Sequence, residues 1–437
     1  MRIIGAADFD TYWKNEIPAA CDSQTAGLVS EIIEAVRNNG DRAVRDYAAR
    51  FDRTSPENLE VPLETARAAH EELYRFEPEL ADALELSAGH LRRFAALQSA
   101  QLVGFETELD EGLFAGQRII PVERAAVYVP AGRFPLVSSA LMGLVPAFAA
   151  GAGEVLLVSP PLEDGVPCRR ILAAAVIAAG KELARLRIFA MGGAQAIAAL
   201  ALGTQSVPRA SVIAGPGNRY VAEAKRSLFG ETGIDFIAGP TDVLILVDGE
   251  LDGELAAADL LAQAEHDPDA RARALLASVR DAETLRAAVE RRLALLGEPS
   301  RRTARASLDT GGLAVVYRSR EEAARIANLI APEHLELHTE NAGEWLPLLK
   351  NYGSLFIGKL AAEVLGDYSA GINHTLPTSG SSRFTGGLSA RHFLKVVTTL
   401  RCNPGPGFEK ARRAAELIGR AEGLAAHAES AASRVLP

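Results

Sequence analysis

The sequence predicts an α/β fold: two Rossmann-like lobes with parallel-type sheets, plus small N-terminal and C-terminal helical segments. Three observations carry that expectation. The 437 residues are about three times a domain of roughly 150 residues, which calls for more than one core. Apolar residues make up 48%, charged residues 23% and aromatics 6%, the balance of a globular protein that folds in water. Finally, between residues 126 and 357 short β-rich runs alternate with helically spaced ones, as in βαβ units with parallel strands.

Taken in chain order, Thr25 to Arg53 places apolar residues three and four apart (Leu28, Ile32, Val36, then Val44, Tyr47, Ala48) around Asn-Asn-Gly, which reads as two helices and a turn. Helical spacing continues from Leu63 to Leu97. Strands are then expected at Ala126–Val129, Glu154–Val158, Arg187–Ala190, Ser211–Ile213, Val243–Val247, Ala272–Val279, Leu313–Tyr317, His334–His338 and Ser354–Ile357. Helices fall between them, at about 136–150, 166–180, 194–202, 218–229, 254–266, 281–296, 320–330 and 341–349. The most apolar stretch, Ser139 to Val158, is broken by Pro146, three glycines and Glu154, so it reads as a buried helix and a strand rather than a span of about 20 apolar residues. A Gly/Ser/Thr-rich loop from Asp367 to Leu388 has the length of a functional loop, and a helical segment, Gly407 to Arg434, closes the chain.

Lys plus Arg is 46 against Asp plus Glu 56, a net charge of −10 with His neutral, and no long basic block occurs. Nucleic acid is a poor partner for such a chain, and no membrane segment is expected. Cys21, Cys168 and Cys402 are odd in number and far apart, which argues against a disulfide framework and for a reducing compartment, the cytoplasm. The first twenty residues contain no signal-peptide core.

The dinucleotide fingerprint G-x-G-x-x-G follows none of these strands. Two shorter turns, Met191-Gly192-Gly193-Ala194-Gln195 and Gly215-Pro216-Gly217-Asn218, lead from strand to helix, where free backbone N–H groups suit an anion such as pyrophosphate; tight turning alone also accounts for their glycines. In Asp259 to Pro268, Gln263 and His266 stand three apart and share a helix face. That face is a solvated surface or part of a metal site. Asp367 and His374 put a carboxylate and an imidazole on the Gly-rich loop, and His427 lies on the last helix. Gln, two His and Asp form a donor set of zinc type. At Ala331-Pro332-Glu333-His334, an acid and a histidine meet at a strand entrance, where both can reach one cleft; His suits proton transfer and Glu the activation of water.

Together these segments resemble the histidinol dehydrogenase family. The runs are GGAQAIAALALGTQSVP, AGPGNRYVAEAKR, GIDFIAGPTDVLIL, DLLAQAEHDPDA, APEHLEL, GDYSAGINHTLPTSG and EGLAAH, in the family's order and spacing, and the resemblance extends from about Gly27 to Arg434. It implies a homodimer that uses Zn2+ and two NAD in succession to oxidise L-histidinol through the aldehyde to L-histidine. It implies metal ligands at Gln263, His266, Asp367 and His427, the last from the partner subunit. It further implies acid/base residues at Glu333 and His334, substrate contacts at Thr241, His374 and Glu422, and cofactor contacts at Tyr128, Gln195 and Asn218. The implied domains are an N-terminal arm (1–25), a discontinuous lobe carrying zinc and acid/base residues (26–126 and 243–385), an NAD-binding lobe (127–242) and a C-terminal helical dimerisation segment (386–437).

Oxidising the aldehyde needs an added nucleophile, and no cysteine falls in a site segment, so water is expected, with Glu333 assisting hydrate formation. Some motifs depart from the family pattern. Ala131 replaces a glycine in Tyr128-Val129-Pro130-Ala131-Gly132-Arg133-Phe134, GPSE becomes Gly239-Pro240-Thr241-Asp242, and Thr385-Gly386-Gly387-Leu388 stands for a serine-rich stretch. These features are similar to relatives of the same fold such as sulfopropanediol dehydrogenases. The alternative is therefore a zinc- and NAD-linked dehydrogenase of another small polar alcohol, a sulfonated diol or amino alcohol.

Overall fold

The computed structural model describes residues 1–16, 23–52, 54, 56–131 and 135–435; Cys21 and the Gly132 to Phe134 part of the departing motif lie outside the described residues. The chain begins with β1 (Arg2–Gly5) and α1 (Ala6–Glu16), then α2 (Ser23–Asn39), α3 (Asp41–Phe51), β2 (Glu60–Val61), α4 (Leu63–Phe76) and α5 (Pro78–Ala100). A hairpin, β3 (Phe105–Asp110) and β4 (Leu113–Pro121), precedes β5 (Arg124–Tyr128), α6 (Val137–Ala149), β6 (Glu154–Ser159), α7 (Arg169–Ala179), β7 (Leu186–Ala190), α8 (Gly193–Leu202), β8 (Val212–Ala214), α9 (Arg219–Leu228) and β9 (Gly233–Ile234). Next come β10 (Asp242–Asp248), α10 (Gly253–Ala264), β11 (Arg271–Leu276), α11 (Val279–Leu293), α12 (Ser300–Gly311), β12 (Leu313–Val316), α13 (Arg320–Ile330), β13 (His334–Thr339), α14 (Ala342–Trp345), β14 (Ser354–Ile357) and α15 (Glu363–Tyr368). The chain closes with β15 (Leu394–Cys402), α16 (Pro406–Ala421) and α17 (Ala425–Ala432).

Each expected strand is present, within a few residues of its expected ends. They divide between two six-stranded sheets, one ordered β2-β7-β6-β5-β8-β9 and the other β1-β12-β11-β10-β13-β14. All pairings are parallel except that of β2 with β7. Strands covered on both faces read as continuous apolar runs, and β10 shows why. Val243, Ile245 and Val247 enter the core beneath α10, α11 and α12, while Leu244 and Leu246 enter the opposite core with α1 and α13. In the first sheet, Val155 and Leu157 of β6 face one core and Leu156 and Val158 the other. The apolar stretch from Ser139 becomes the buried helix α6 and strand β6, and among the described residues no helix is long and apolar enough to cross a membrane.

The packing corrects the expected grouping of segments. Residues 26–126 do not join 243–385: α2 and α3 pack on α8, α2 also on α9, α4 on α7 and α5 on α6, all over the first sheet. Their small and branched apolar residues, such as Val29, Val36, Ala66 and Leu91, fill that sheet's two cores. The N-terminal arm is the edge of the second sheet, with Arg2 opposite Leu313 and Gly5 opposite Val316. The C-terminal segment is not wholly helical, since β15 pairs antiparallel along the length of β4 to build a third sheet, β15-β4-β3. β3 is exposed along its whole length and mostly polar, whereas β4 is largely half-buried and mixes apolar with polar residues without strict alternation.

Candidate active site

Two loop systems meet between the lobes. From the first sheet come the carboxyl ends of β5, β7 and β8 with the starts of α6, α8 and α9; from the second come the residues just before β10 and β13. The Asp367–Leu388 loop joins them: Asn373 Nδ2 donates to the Met142 carbonyl (2.6 Å), and Ser139 Oγ lies 3.2 Å from His374 Nε2.

Glu333 and His334 stand at the mouth of β13 and are buried. His334 Nε2 is 3.7 Å from Glu333 Oε1, and Glu333 Oε2 accepts from the Thr241 hydroxyl and from the Asp242 N–H (3.2 Å). The backbone returns the contact, Glu333 N donating to Asp242 Oδ1 (3.0 Å). The Gln263 amide, on the last turn of α10, lies 2.6 Å from Thr241 Oγ1. Turned to satisfy its neighbours, it donates from Nε2 to Glu363 Oε1 (3.2 Å). Burial dominates the electrostatics. It holds the Glu333 carboxyl well above the carboxylate range, with Thr241 pulling the other way and Asp367 adding to the rise. It depresses His334 to about 3, helped by His374 and His266, and His374 to about 4. His266 is also lowered by burial, and Asp367 is raised to about 7 by the same cause. Through these influences His266, His334 and His374 act on one another and Asp367 acts on Glu333; Glu333, His334 and Asp367 are buried, whereas His266 stands exposed on the turn after α10.

Glu422 and His427 are not in this group. Both are exposed, Glu422 just past α16 and His427 on α17; the two helices pack on each other, and α16 also packs on β3. On the cofactor side, Tyr128 ends β5, its hydroxyl accepting from the Gly193 N–H (3.2 Å), and its own ionisation is pushed up to about 12 by burial. Gln195 is 1% exposed, and neither amide atom has a hydrogen bond. Asn218 is exposed and caps α9, its side-chain oxygen accepting from the N–H groups of Tyr220 and Val221. The turn before it is clamped from below: Asp235 Oδ2 accepts from Gly215 N (2.8 Å), Lys225 Nζ donates to Gly215 O (3.0 Å), and Lys225 pairs with Asp235.

Sequence reasoning did not single out Glu363, Asp52, Asp259, Glu336 or His338. Glu363 is fully buried and raised well above the carboxylate range by burial, then by Asp367. Asp52, after α3, is raised to about 6 by burial and approaches the Gly192 turn. One signal was available. Asp259 precedes Gln263 by four residues, and Glu336 and His338 follow His334 at alternate strand positions, so each continues a stripe already identified.

Known proteins match this chain over nearly its whole length. The family model described as histidinol dehydrogenase matches residues 17–435. The chain is 44% identical over 410 residues to the histidinol dehydrogenase of Thermus thermophilus, covering 94% of each. It is 41% identical over 419 residues to a histidinol dehydrogenase homolog of Ruegeria pomeroyi, covering 96% of this chain and 94% of that protein. The crystal structure of histidinol dehydrogenase from Elizabethkingia anophelis superposes with a TM-score of 0.89 at 32% identity, covering 99% of this chain and 97% of that one. With buried acid/base and polar groups converging on a cleft of that fold, this chain belongs to the histidinol dehydrogenase family and is an oxidoreductase.

Proposed function

We propose that the protein oxidises L-histidinol through histidinaldehyde to L-histidine with Zn2+ and two NAD, as a homodimer whose His427 and Glu422 serve the partner's site. The observation that carries this reading is the buried pair Glu333 and His334 beside Gln263, His266, Asp367 and His374. Asp367 Oδ1 is buried without a hydrogen-bond partner. Together with a neutral imidazole and an amide, it forms an N/O donor set that fits zinc, so Gln263, His266 and Asp367 would hold the ion with His427. Gln195, with its unpartnered amide, Tyr128 and Asn218 would hold the dinucleotide. When bound, the ion orients and polarises the substrate and the nicotinamide takes hydride.

The chain's own residues handle the protons. A depressed His334 is neutral, and its Nδ1 has no hydrogen bond, so it can accept the alcohol proton as hydride leaves. For the second oxidation water adds to the aldehyde carbon, its proton passing to the aldehyde oxygen with Glu333 assisting, and His334 takes a proton from the hydrate as hydride leaves. Among the described residues thiohemiacetal chemistry has no support: Cys168 precedes α7 and Cys402 ends β15, and neither belongs to the cleft segments. Replacing any one cysteine by Ala is expected to leave turnover nearly intact; a loss of about a thousandfold in a folded variant would overturn the water route.

The departures at Ala131, Thr241-Asp242 and Thr385 to Leu388 favour one second reading, the same chemistry on a sulfonated diol or amino alcohol. Measuring NADH formed from L-histidinol and NAD, before and after chelation and zinc restoration, decides between them. Two chelator-sensitive NADH per histidinol support the first reading. Turnover only on the other alcohols moves the substrate to the second.

A further inference from the structure

Two ladders of polar side chains face each other between α10 and β13. On β13, His334, Glu336 and His338 alternate with Leu335 and Leu337, which enter the core on the other side of the sheet, so the three polar residues share one face. On α10, Asp259 and Gln263 fall at i and i+4 on one face, and His266 follows on the turn just past the helix end. Gln263, His266 and His334 form the end of these ladders that belongs to the active site. The other end, Asp259, Glu336 and His338, takes no part in the proposed reaction.

We infer that Asp259, Glu336 and His338 form a second divalent-cation site, of the zinc or manganese type, inside the lobe and about 6–10 Å along the α10 axis from the catalytic group. One ligand atom from each lies within 4.8 Å of the others, and exposures are 6%, 0% and 2%. His338 Nε2 is 3.2 Å from Glu336 Oε2, yet neither Glu336 Oε2 nor His338 Nδ1 makes a hydrogen bond. Two facing carboxylates in a dry interior are costly unless something neutralises them. Asp259 is accordingly pushed up to about 7 by burial first and Glu336 second. Arg292, the cation outside the group that acts on Asp259, holds Glu254 by a 2.9 Å hydrogen bond. One imidazole and two carboxylates around one point are a borderline N/O set for such an ion. With bonds of about 2.0–2.2 Å, the ligand atoms need to close only by roughly an ångström. Glu363 separates the two ends: its Oε1 takes the Gln263 amide, and its N–H donates to Glu336 Oε1 (2.8 Å).

The test counts ions. Full-length protein is stripped with chelator, dialysed against Zn2+ and measured by elemental analysis, with folding followed by circular dichroism. The wild type is expected to hold two ions per chain, and His338→Gln, Glu336→Gln and His266→Ala one each. Anomalous scattering at the zinc edge should then show a peak among the three side chains. A wild type holding one ion, lost in His266→Ala and kept in His338→Gln, overturns this site and leaves the catalytic one standing. One ion kept in His266→Ala and lost in His338→Gln supports this site and removes the catalytic one. A proton shared between Asp259 and Glu336 in place of a cation would appear as unchanged ion content in both Glu336→Gln and His338→Gln, which also overturns the inference.

Discussion

At the scale of single residues, burial decides which protons are available. His334 is 3% exposed and depressed to about 3, so in the metal-free protein it stays neutral down to pH values at which an exposed histidine is charged. On unfolding, its pKa returns to about 6.5. Below that pH the unfolded chain binds the extra proton, so His334 lowers stability progressively as pH falls from about 6.5 towards its folded value. The stability difference between wild type and His334→Asn, measured in the metal-free state by denaturant titration, should therefore shift against the wild type between pH 7 and pH 5. The slope can reach about 1.4 kcal/mol per pH unit for one proton. A difference that stays constant over that range would mean His334 titrates normally. Glu333 makes the complementary case. Glu333→Gln keeps the size and the contact to Thr241 but removes the ionisable group, so kcat on the oxidised alcohol should fall by about 10²–10⁴. Substrate and zinc affinity, measured by calorimetry, should change little, and an equal loss in zinc content would make Glu333 a structural residue instead.

Among the elements, the turn between β8 and α9 shows where a short motif acquires its rigidity. Gly215 has φ +114, and a Cβ on it would lie 2.1 Å from the Tyr128 carbonyl oxygen, so only glycine fits. Lys225 and Asp235, both buried, grip its two backbone groups. Lys225→Met would leave Asp235 buried and uncompensated, at a cost of about 3–5 kcal/mol. Lys225→Met with Asp235→Leu should recover part of that, read as a higher melting temperature than the single variant; no recovery would mean that the backbone bonds, not the charge pair, dominate. This clamp was invisible in the sequence, because Lys225 and Asp235 meet only after α9 turns back on the sheet. What was legible followed period and order. Nine of the eleven parallel strands announced themselves as apolar runs, most of them buried on both faces, and Gln263, His266, Glu333, His334 and Asp367 could be named as candidates because they sit in compact motifs. The β3, β4 and β15 ribbon escaped because β3 and β15 are largely exposed and β4 mixes apolar and polar residues without period-two alternation, and the placement of α2–α5 because helix periodicity identifies the buried stripe but not the sheet beneath it.

For the whole molecule, the decisive separation is between the cleft and the C-terminal helices. Within one chain Glu422, just past α16, and His427, on α17, are exposed, and α16 rests on β3 while α17 packs on α16. Val396 and Leu400 of β15, Leu417 and Ile418 of α16 and Leu424 after it are also exposed, apolar surface that the proposed homodimer would cover with a second copy of the chain. In the proposed homodimer, a two-fold axis carries each His427 to the other subunit's cleft and returns the same contact. Complementation tests this directly. A subunit carrying Glu333→Gln and a subunit carrying His427→Ala should each be nearly inactive as homodimers. Mixed and allowed to exchange, they form hybrids in which one cleft carries both lesions and the other carries none. Random pairing then makes about a quarter of all clefts intact, and activity should recover to about that fraction of wild type. If His427 instead served its own chain, every cleft in the hybrid would keep one lesion, and mixing would restore nothing.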